Sequence, residues 1–219
     1  MRDKVLAYGG GVNSTALLIK YENQIKEAVF VDHGGDYPYT YNYVNYMVKQ
    51  GFPITVIKPA VNYPKEDKVY DNLPDYYEAK RCFPNRRFRD CTDKFKLTPQ
   101  KRYFKGQNIK MFIGFSAGEE KRVKSEFRLS KGITAHYPLI SDGVTRDDCH
   151  KIIADAGLKP VKRSACWLCF NCSKDECKIM AVDYPELWER RKRMKTESLR
   201  NSAERHYNVL PNWVEKREE

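Results

Sequence analysis

The sequence predicts an α/β protein built on a parallel, twisted sheet with helices on both faces. Apolar, strand-like runs alternate with helical segments along the first half of the chain, and this order implies right-handed crossovers. A glycine-rich stretch also stands between the first strand-like run and the first helix. A Cys-rich segment and a long helical segment follow, and we expect both to pack on the α/β part.

The first half of the chain supplies three strands and two helices. Each predicted strand is a short apolar run, and each predicted helix is free of Gly and Pro in its interior. In chain order, these segments are residues 5–8, 15–21, 28–31, 39–50 and 53–57.

The rest of the chain is less regular. Residues 63–95 are polar, aromatic and rich in Pro, Asp and Arg, which is typical of loops and short helices lying across the end of a sheet. A fourth strand is expected over 110–115. A helix capped at Thr145 should end near Gly157, and a long basic helix should cover 184–207. We place the α/β domain at residues 1–160 and the Cys-rich segment with its basic helix at 161–219.

The charge balance indicates an anionic partner. The chain of 219 residues carries 40 Lys and Arg against 29 Asp and Glu, a formal net charge of +11. Such an excess favours nucleic acid or phosphorylated ligands. No apolar run reaches the length of a membrane-spanning helix, and the N-terminal residues do not have the pattern of a signal peptide. We therefore expect a cytoplasmic protein with no membrane partner, and the sequence leaves its oligomeric state open.

Three consecutive glycines separate the first strand from the first helix. Glycines let the backbone approach an anion closely, and the helix start adds unpaired N–H groups and a positive dipole end. The stretch has neither the Lys of a Walker loop nor the spacing of a dinucleotide-binding loop. We expect an anion-binding loop formed by Tyr8, Gly9, Gly10, Gly11, Val12, Asn13, Ser14 and Thr15.

This loop resembles the pyrophosphate loop (PP-loop) of the ATP pyrophosphatases and phosphoadenosine phosphosulfate (PAPS) reductases, usually written Ser-Gly-Gly-x-Asp-Ser. Residues 30–34, 89–99 and 113–122 resemble later segments of the same family, in the same order. The stretch 137–169 is similar to the ending of small bacterial and phage-encoded members. The resemblance implies the adenine nucleotide alpha hydrolase-like (HUP) fold. It also implies nucleotide contacts by Asp32, His33, Gly34, Gly114, Glu119 and Arg122.

Two departures from the family pattern affect the expected chemistry. Gly9 and Asn13 stand where the family usually has Ser and Asp. In ATP-hydrolysing members that Asp is expected to help hold Mg²⁺, and an amide binds this ion less well than a carboxylate. PAPS reductases also carry a nucleophilic Cys in a C-terminal Glu-Cys-Gly-x-His element, whereas this chain has no Cys after Cys177.

Four cysteines form a dense cluster at Cys166, Cys169, Cys172 and Cys177. Thiolates at this spacing suit zinc or an iron–sulfur cluster. Resemblance to APS reductases and tRNA-thiolating pyrophosphatases implies a [4Fe–4S] cluster on Cys91, Cys166, Cys169 and Cys172. In that arrangement Cys82 or Cys177 is a substitute for one ligand. A zinc site on Cys166, Cys169, Cys172 and Cys177 is the rival, and we favour the cluster.

Basic residues surround Cys91. Arginine and aromatic side chains interleave before it and can hold phosphates or stack on bases. A second basic run, at residues 190–195, is typical of a solvated helix face. The substrate-binding residues expected from the first group are Arg86, Arg87, Arg89, Lys94 and Lys96.

The function that follows is an ATP pyrophosphatase or adenylating transferase. ATP with Mg²⁺ would be attacked at its α-phosphate, and the adenylated substrate would then accept sulfur or nitrogen, with nucleic acid or a sulfur donor as partner. Asn13, Ser14 and Cys91 are the expected catalytic residues. A sulfonucleotide reductase and a non-catalytic nucleotide-binding subunit or sensor are the alternatives.

Overall fold

A five-stranded parallel sheet forms the centre of the chain, which a computed structural model describes over residues 2–123 and 131–207. Its strand order is β3-β2-β1-β6-β7, and β4 and β5 form a separate antiparallel pair. The order reverses between β1 and β6, which is the point where parallel α/β sheets bind ligands. The strands are β1 (Asp3–Tyr8), β2 (Glu27–Val31), β3 (Ile54–Ile57), β4 (Val61–Tyr63), β5 (Lys68–Tyr70), β6 (Ile109–Ile113) and β7 (Ile133–His136).

Helices flank the sheet and follow it in the chain. A π-helical turn (Asp93–Leu97) joins α4 to α5, and short 3-10 turns lie at Glu22–Gln24 and Pro64–Glu66. None of the helices in the described ranges is long and apolar enough to cross a membrane. The helices are α1 (Val12–Lys20), α2 (Pro38–Lys49), α3 (Leu73–Ala79), α4 (Asp90–Thr92), α5 (Thr98–Tyr103), α6 (Glu120–Val123), α7 (Pro138–Ser141), α8 (Arg146–Asp155), α9 (Lys174–Asp183) and α10 (Pro185–Tyr207).

Successive side chains of β1 pack alternately into two hydrophobic cores, one on each face of the sheet. Leu6 packs with buried residues of α1, α2 and α8. Val5 points the other way and packs with Phe104, which follows α5, and with strand residues such as Met111. Because successive side chains of a strand alternate between faces, β1 is buried on both sides. The predicted α/β class, with a parallel sheet covered on both faces, is confirmed.

Several element boundaries differ from those expected. Helix α1 begins at Val12, three residues earlier than predicted, because Gly11 serves as its N-cap in extended conformation. Strand β7 and the β4–β5 pair were not expected. Helix α8 begins after Thr145, whose hydroxyl accepts a hydrogen bond from the Asp148 amide as the sequence predicts.

A third core joins the Cys-rich segment to the α/β part. Trp167 and Leu168 are buried among aromatic residues such as Tyr76 and Phe95. The basic run 190–195 is not simply a solvated face, since Arg190 forms ion pairs with two acidic residues of α3. The structure describes the expected segment 161–219 as far as residue 207, and residues 208–219 lie outside the described part of the chain.

Candidate functional site

The glycine loop is a tight turn held by one hydroxyl. Gly10 has a φ of +65°, and a Cβ there would lie 2.9 Å from Cγ2 of Thr40, so a larger residue is strained at this position. Ser14 Oγ accepts hydrogen bonds from the amides of Gly9 and Gly11, both at 3.3 Å, and donates to the Gly11 carbonyl at 3.1 Å. The expected catalytic hydroxyl of Ser14 therefore shapes the loop.

Two other segments approach the loop closely. A Cβ on Gly114, directly after β6, would lie 2.9 Å from the Ser14 amide nitrogen. A Cβ on Gly11 would lie 2.6 Å from Oγ of Ser164. The loop thus lies between the end of β6 and a segment from the C-terminal part of the chain. The amides of Val12 and Asn13, in the first turn of α1, have no preceding helical carbonyl as partner.

A cavity of about 350 Å³ lies over the start of α1, and we call it the anion cavity. Three arginines from different parts of the chain face it, namely Arg122, Arg146 and Arg163. Their guanidinium groups and the positive end of α1 all favour a ligand with several negative charges. The remaining lining comprises Ala7, Gly9, Gly11, Val12, Asn13, Ser14, Ile113, Gly114, Phe115, Glu119 and Ser164.

The Asn13 side chain connects acidic and basic groups of the anion cavity. Its Nδ2 donates to Glu119 Oε2 at 2.9 Å and to Ser116 Oγ at 3.1 Å, and its Oδ1 accepts from Arg146 at 3.2 Å. Glu119 also accepts from the Ser116 amide and pairs with Arg122. Partial burial opposes ionisation, but hydrogen bonds from Ser116 and Arg122 outweigh it and hold the pKa of Glu119 below its usual value.

A second cavity of about 350 Å³ opens at the ends of β1, β2 and β6, and we call it the strand-end cavity. It adjoins the anion cavity, since Gly9 and Arg122 line both. Its walls are largely apolar, and charged groups stand around them. The lining consists of Ala7, Tyr8, Gly9, Phe30, Val31, Asp36, Arg89, Thr92, Lys96, Leu97, Gln100, Met111, Ile113 and Arg122.

The three residues expected to contact nucleotide after β2 form a turn instead of lining the strand-end cavity. Asp32 Oδ1 accepts from the Gly34 amide at 3.1 Å. Gly34 has a φ of +71°, and a Cβ there would collide with Asn72. The turn delivers Asp36, which does line the strand-end cavity. Thr15 is buried and contacts the Tyr8 hydroxyl at 3.2 Å, so it supports the loop from behind.

His33 is fully buried beside Asp36. Its Nδ1 accepts from the Gly35 amide at 3.1 Å, which leaves the proton of the neutral ring on Nε2. Nε2 lies 3.4 Å from Asp36 Oδ2 but makes no hydrogen bond of good geometry. Burial lowers the pKa of His33 from 6.5 to about 4, against the opposite effect of the Asp36 carboxylate. The imidazole is therefore neutral at physiological pH.

Three cysteines line a third cavity of about 110 Å³, the thiol cavity, together with His33. They are Cys91, Cys166 and Cys169, three of the four cysteines expected to bind metal. Arg89, Thr92 and Lys96 line both this cavity and the strand-end cavity, so they form a shared wall. The remaining lining is Leu73, Pro84, Leu168, Phe170 and Asn171.

The electrostatic environment of these thiols is mixed. Burial raises the pKa of Cys91, and burial together with Asp36 raises the pKa of Cys166 to about 12. Desolvation lowers the pKa of Lys96, yet Asp36 and the three thiols outweigh this effect and raise it. Lys96 thus stays a cation at the shared wall, where it favours any thiolate that forms.

The structure does not bring Cys172 to the thiol cavity. Its Sγ lies 3.3 Å from Sγ of Cys177 at the start of α9. Across residues 2–123 and 131–207, no group of three or more His, Cys, Asp or Glu side chains converges on a point that could hold one metal ion. The four cysteines of the cluster are therefore divided between two places.

The expected substrate-binding residues are also divided. Arg89, with a φ of +46°, and Lys96 face the cavities. Lys94 donates to the Tyr76 hydroxyl at 2.8 Å and pairs with Asp90, so its role is local. Arg86 and Arg87 are exposed, and neither lines any of the three cavities.

Sequence reasoning missed Asp36, Arg146, Arg163 and Ser116. Arg146 had a detectable signal, because a cation at the first residue of a helix opposes the helix dipole. Ser116 lies within the strand-end segment 113–122 that resembles the family, although it was not named as a site residue. Asp36 had no local signal, since a turn sets its position. Arg163 lies within the stretch 137–169 that resembles the family, but only long-range packing brings it to the anion cavity.

Comparisons with known proteins identify the family. The model of the phosphoadenosine phosphosulfate reductase domain matches residues 3–141, more than half of the chain. The search of curated proteins found no match to this chain. Among solved structures, a predicted subunit of tRNA methyltransferase from Methanocaldococcus jannaschii is 15% identical, covering 76% of this chain and 96% of that chain with a TM-score of 0.38. The domain match and the parallel sheet agree with the PP-loop, adenine nucleotide alpha hydrolase-like expectation, and the chain belongs to the phosphoadenosine phosphosulfate reductase domain family.

Proposed function

We propose that the protein is an enzyme that binds ATP across the anion and strand-end cavities and adenylates a substrate. The observation that carries this proposal is that the two cavities are adjacent and share Gly9 and Arg122 in their walls. One offers a glycine loop, a helix start and three guanidinium groups for phosphates. The other offers apolar walls at the strand ends for a nucleoside, the usual location in such sheets.

The residues of the chain suggest how the reaction proceeds. An oxygen of the substrate attacks the α-phosphorus, a new P–O bond forms, and the bond to the β-phosphate oxygen breaks to release pyrophosphate. Arg122, Arg146 and Arg163 balance the negative charge that collects on the leaving group, as fixed cations do in phosphoryl transfer. Asn13 and Ser14 act as positioning residues, since their side chains bond to Arg146 and to the loop.

The oxygen donors beside the loop do not fit a magnesium ion held by the protein itself. Oδ1 of Asn13 accepts from Arg146, and the Glu119 carboxylate is occupied by Ser116, Asn13 and Arg122. A divalent cation placed there would also face these guanidinium groups. We therefore expect magnesium to arrive on the phosphates of ATP, and we derive no step from a protein-bound ion.

The thiol cavity fits an iron–sulfur cluster better than a single zinc ion. Cysteines hold a cluster at separate iron atoms, whereas zinc ligands converge on one atom. Cys91, Cys166 and Cys169 surround a volume without converging on a point in the described part of the chain. These three would hold the cluster, which when bound supplies a soft site for sulfur beside the nucleotide. Such free thiols suit the reducing, cytoplasmic compartment that we propose.

The thiol cavity also favours a second candidate, sulfonucleotide reduction. One thiolate would attack the sulfonate sulfur and release the nucleotide phosphate, and a neighbouring thiol would then expel sulfite and leave a disulfide. Cys91, Cys166 and Cys169 supply both thiols without a C-terminal Cys. The raised pKa of Cys166, about 12, is a cost to this route at neutral pH.

Product analysis separates the candidates. Protein incubated with ATP, magnesium chloride and bulk tRNA should release pyrophosphate and transfer AMP to the tRNA, whereas ADP and phosphate would contradict adenylation. Sulfite from PAPS and a dithiol would favour the reductase. Tight ATP binding without products in either assay would indicate a binding subunit or sensor.

Calorimetry tests the assignment of the cavities. Arg163→Gln should weaken ATP binding about tenfold, or about 1.4 kcal/mol, and leave adenosine binding unchanged. Arg193→Gln is the matched control, because Arg193 pairs with Glu78 away from the cavities. Equal losses for ATP and adenosine would contradict a phosphate role.

A further inference from the structure

The start of α9 brings two thiols into contact outside the thiol cavity. Cys172 directly precedes Ser173, the N-cap of α9, and Cys177 is the fourth residue of the helix. Their Sγ atoms are 3.3 Å apart. These are the positions at which an apolar pair commonly staples a helix start. The two thiols therefore pack where a hydrophobic staple would lie.

The backbone around the pair is fixed by hydrogen bonds. Ser173 Oγ accepts from the Glu176 amide at 3.1 Å, and Glu176 Oε2 accepts from the Ser173 amide at 2.8 Å, which completes a capping box. The Cys172 amide donates to the Cys169 carbonyl at 3.2 Å, and the Cys177 amide to the Ser173 carbonyl at 3.0 Å. A disulfide needs about 2.0 Å between its sulfur atoms. Side-chain rotation therefore has to bring the two Sγ atoms from 3.3 Å to that distance, while the backbone stays in place.

Both cysteines of the pair are partly exposed to solvent. Cys172 and Cys177 are half-buried, whereas Cys149, on the buried face of α8, lies fully inside the core. All seven cysteines of the chain are free. The start of α9 is thus a reduced dithiol that a small oxidant can reach.

We propose that Cys172 and Cys177 form a reversible intramolecular disulfide, which makes the start of α9 a redox modification site. A thiolate of the pair attacks a disulfide such as oxidised glutathione and displaces one glutathione thiolate. The second thiol of the pair then attacks the mixed disulfide and releases the other glutathione. Two thiols lose two protons and two electrons, and one glutathione disulfide becomes two thiols.

Glu176 connects this pair with the anion cavity. Its Oε1 accepts from Arg163 at 2.6 Å, while its Oε2 closes the cap of α9. Arg163 lines the anion cavity. A disulfide encloses Glu176 in a small covalent ring and restricts the carboxylate that holds Arg163. Oxidation should therefore change the affinity of the anion cavity for anions. This coupling rests on the proposed nucleotide site, whereas formation of the disulfide is independent of it.

Thiol labelling tests the modification. Full-length protein, reduced without oxygen, is equilibrated in glutathione buffers of increasing oxidised fraction, quenched with acid and alkylated for peptide mass spectrometry. Labelling of Cys172 and of Cys177 should fall together at the same ratio of oxidised to reduced glutathione. A disulfide-linked peptide that is two hydrogens lighter than its reduced form should appear with it. Cys172→Ser and Cys177→Ser should abolish this peptide. Cys82→Ser, which changes a half-buried cysteine outside the pair, should retain it.

Three results would overturn the proposal. The first is full labelling of both thiols in the most oxidising buffer while circular dichroism shows a folded chain. The second is a disulfide from either residue to Cys169. The third is iron or zinc in the purified protein that Cys172→Ser removes, because Cys172 would then be a metal ligand.

Pyrophosphate titration tests the coupling separately. The Kd for pyrophosphate should differ between the reduced and oxidised protein, and Cys177→Ser should remove the difference. Equal affinities would refute the coupling through Glu176. Absence of pyrophosphate binding in both states would count against the proposed nucleotide site, while the labelling result would still decide the disulfide.

Discussion

The amide of Asn13 is suited to its neighbours in a way that a carboxylate is not. Glu119 already presents an oxygen 2.9 Å from Nδ2 of Asn13. A second carboxylate would face it at that distance, where two like charges oppose each other strongly. The amide instead donates to the acid and accepts from Arg146. It therefore links the two charges without adding to either.

We predict that Asn13→Asp destabilises the protein by about 1–3 kcal/mol at pH 7, because a donor to a charged, partly buried group is lost. Urea unfolding measures the loss. The double variant Asn13→Asp/Glu119→Gln restores an amide–carboxylate pair in the opposite sense and should recover most of it. Equal stability of Asn13→Asp and the parent chain would contradict the network.

His33 should make the fold sensitive to mild acid. Its pKa is about 4 in the folded chain against 6.5 unfolded, so the unfolded chain takes up the proton first as the pH falls below 6.5. The stability that neutral His33 contributes is present above pH 6.5 and is lost toward pH 4, about 2 kcal/mol by pH 5.

Unfolding curves at pH 8 and pH 5 test this effect. His33→Gln should reduce the loss of stability between these pH values, whatever its effect at pH 8. His150→Gln is the control, since His150 is exposed on α8. An unchanged pH dependence in His33→Gln would show that other groups control the acid response.

Local sequence identified the loop side of the site and missed its opposite wall. Gly9, Gly10 and Gly11 are adjacent in the chain, and their chemistry can be read from composition alone. Arg163 contributes to the same cavity only because its segment folds back onto Gly11. Such a position depends on tertiary packing, which no window of sequence contains.

At the level of elements, Arg191 of α10 holds the Cys-rich segment. It is 9% exposed, donates to the carbonyls of Trp167 and, at 3.1 Å, Cys169, and lies over the ring of Phe83. Neither carbonyl belongs to a helix or strand, so the guanidinium group replaces the backbone partners that regular structure would supply.

Arg191→Met should therefore cost about 2–3 kcal/mol, since two carbonyls lose their donor. Lys192→Met is the matched control, because Lys192 is half-exposed and contacts Glu189 and the ring of Trp188, both on α10 itself. Guanidinium chloride unfolding compares the two variants. Similar stabilities would contradict the anchoring role.

Element prediction succeeded where the sequence has a continuous apolar run or a long helical period. β1 and β2 have continuous apolar runs because both faces of a central parallel strand are covered. β7 was missed because only Ile133 of its four residues is buried. β4 and β5 have three residues each, too few to show a period. The long periodic helix 184–207 was located within one residue of its start, at Pro185.

For the molecule as a whole, the matched family region is not the complete site. That match ends at residue 141, whereas Arg146, Arg163 and Cys166 lie beyond it. A β-bridge joins Asp36, which lines the strand-end cavity, to Cys166, which lines the thiol cavity. The C-terminal part, outside the matched family region, therefore forms one wall of the candidate site.

A chain ending at residue 160 should bind pyrophosphate much more weakly than the full chain, because it lacks Arg163. It should also expose the apolar surface of Tyr37, Leu73 and Tyr76, which Trp167 and its neighbours cover, and so associate in solution. Calorimetry and size-exclusion chromatography measure the two effects. A monomeric fragment with full affinity would contradict this dependence on the C-terminal part.

The contact of Gly11 with Ser164 also determines when the anion cavity becomes complete during synthesis of the chain. A nascent chain that has left the ribosome as far as β7 already possesses the glycine loop and the sheet. It lacks Arg163 and Ser164, which complete the anion cavity and lie about 150 residues after the glycine loop in the chain. On the proposed function, a growing chain should therefore hold ATP tightly only once residue 164 has emerged.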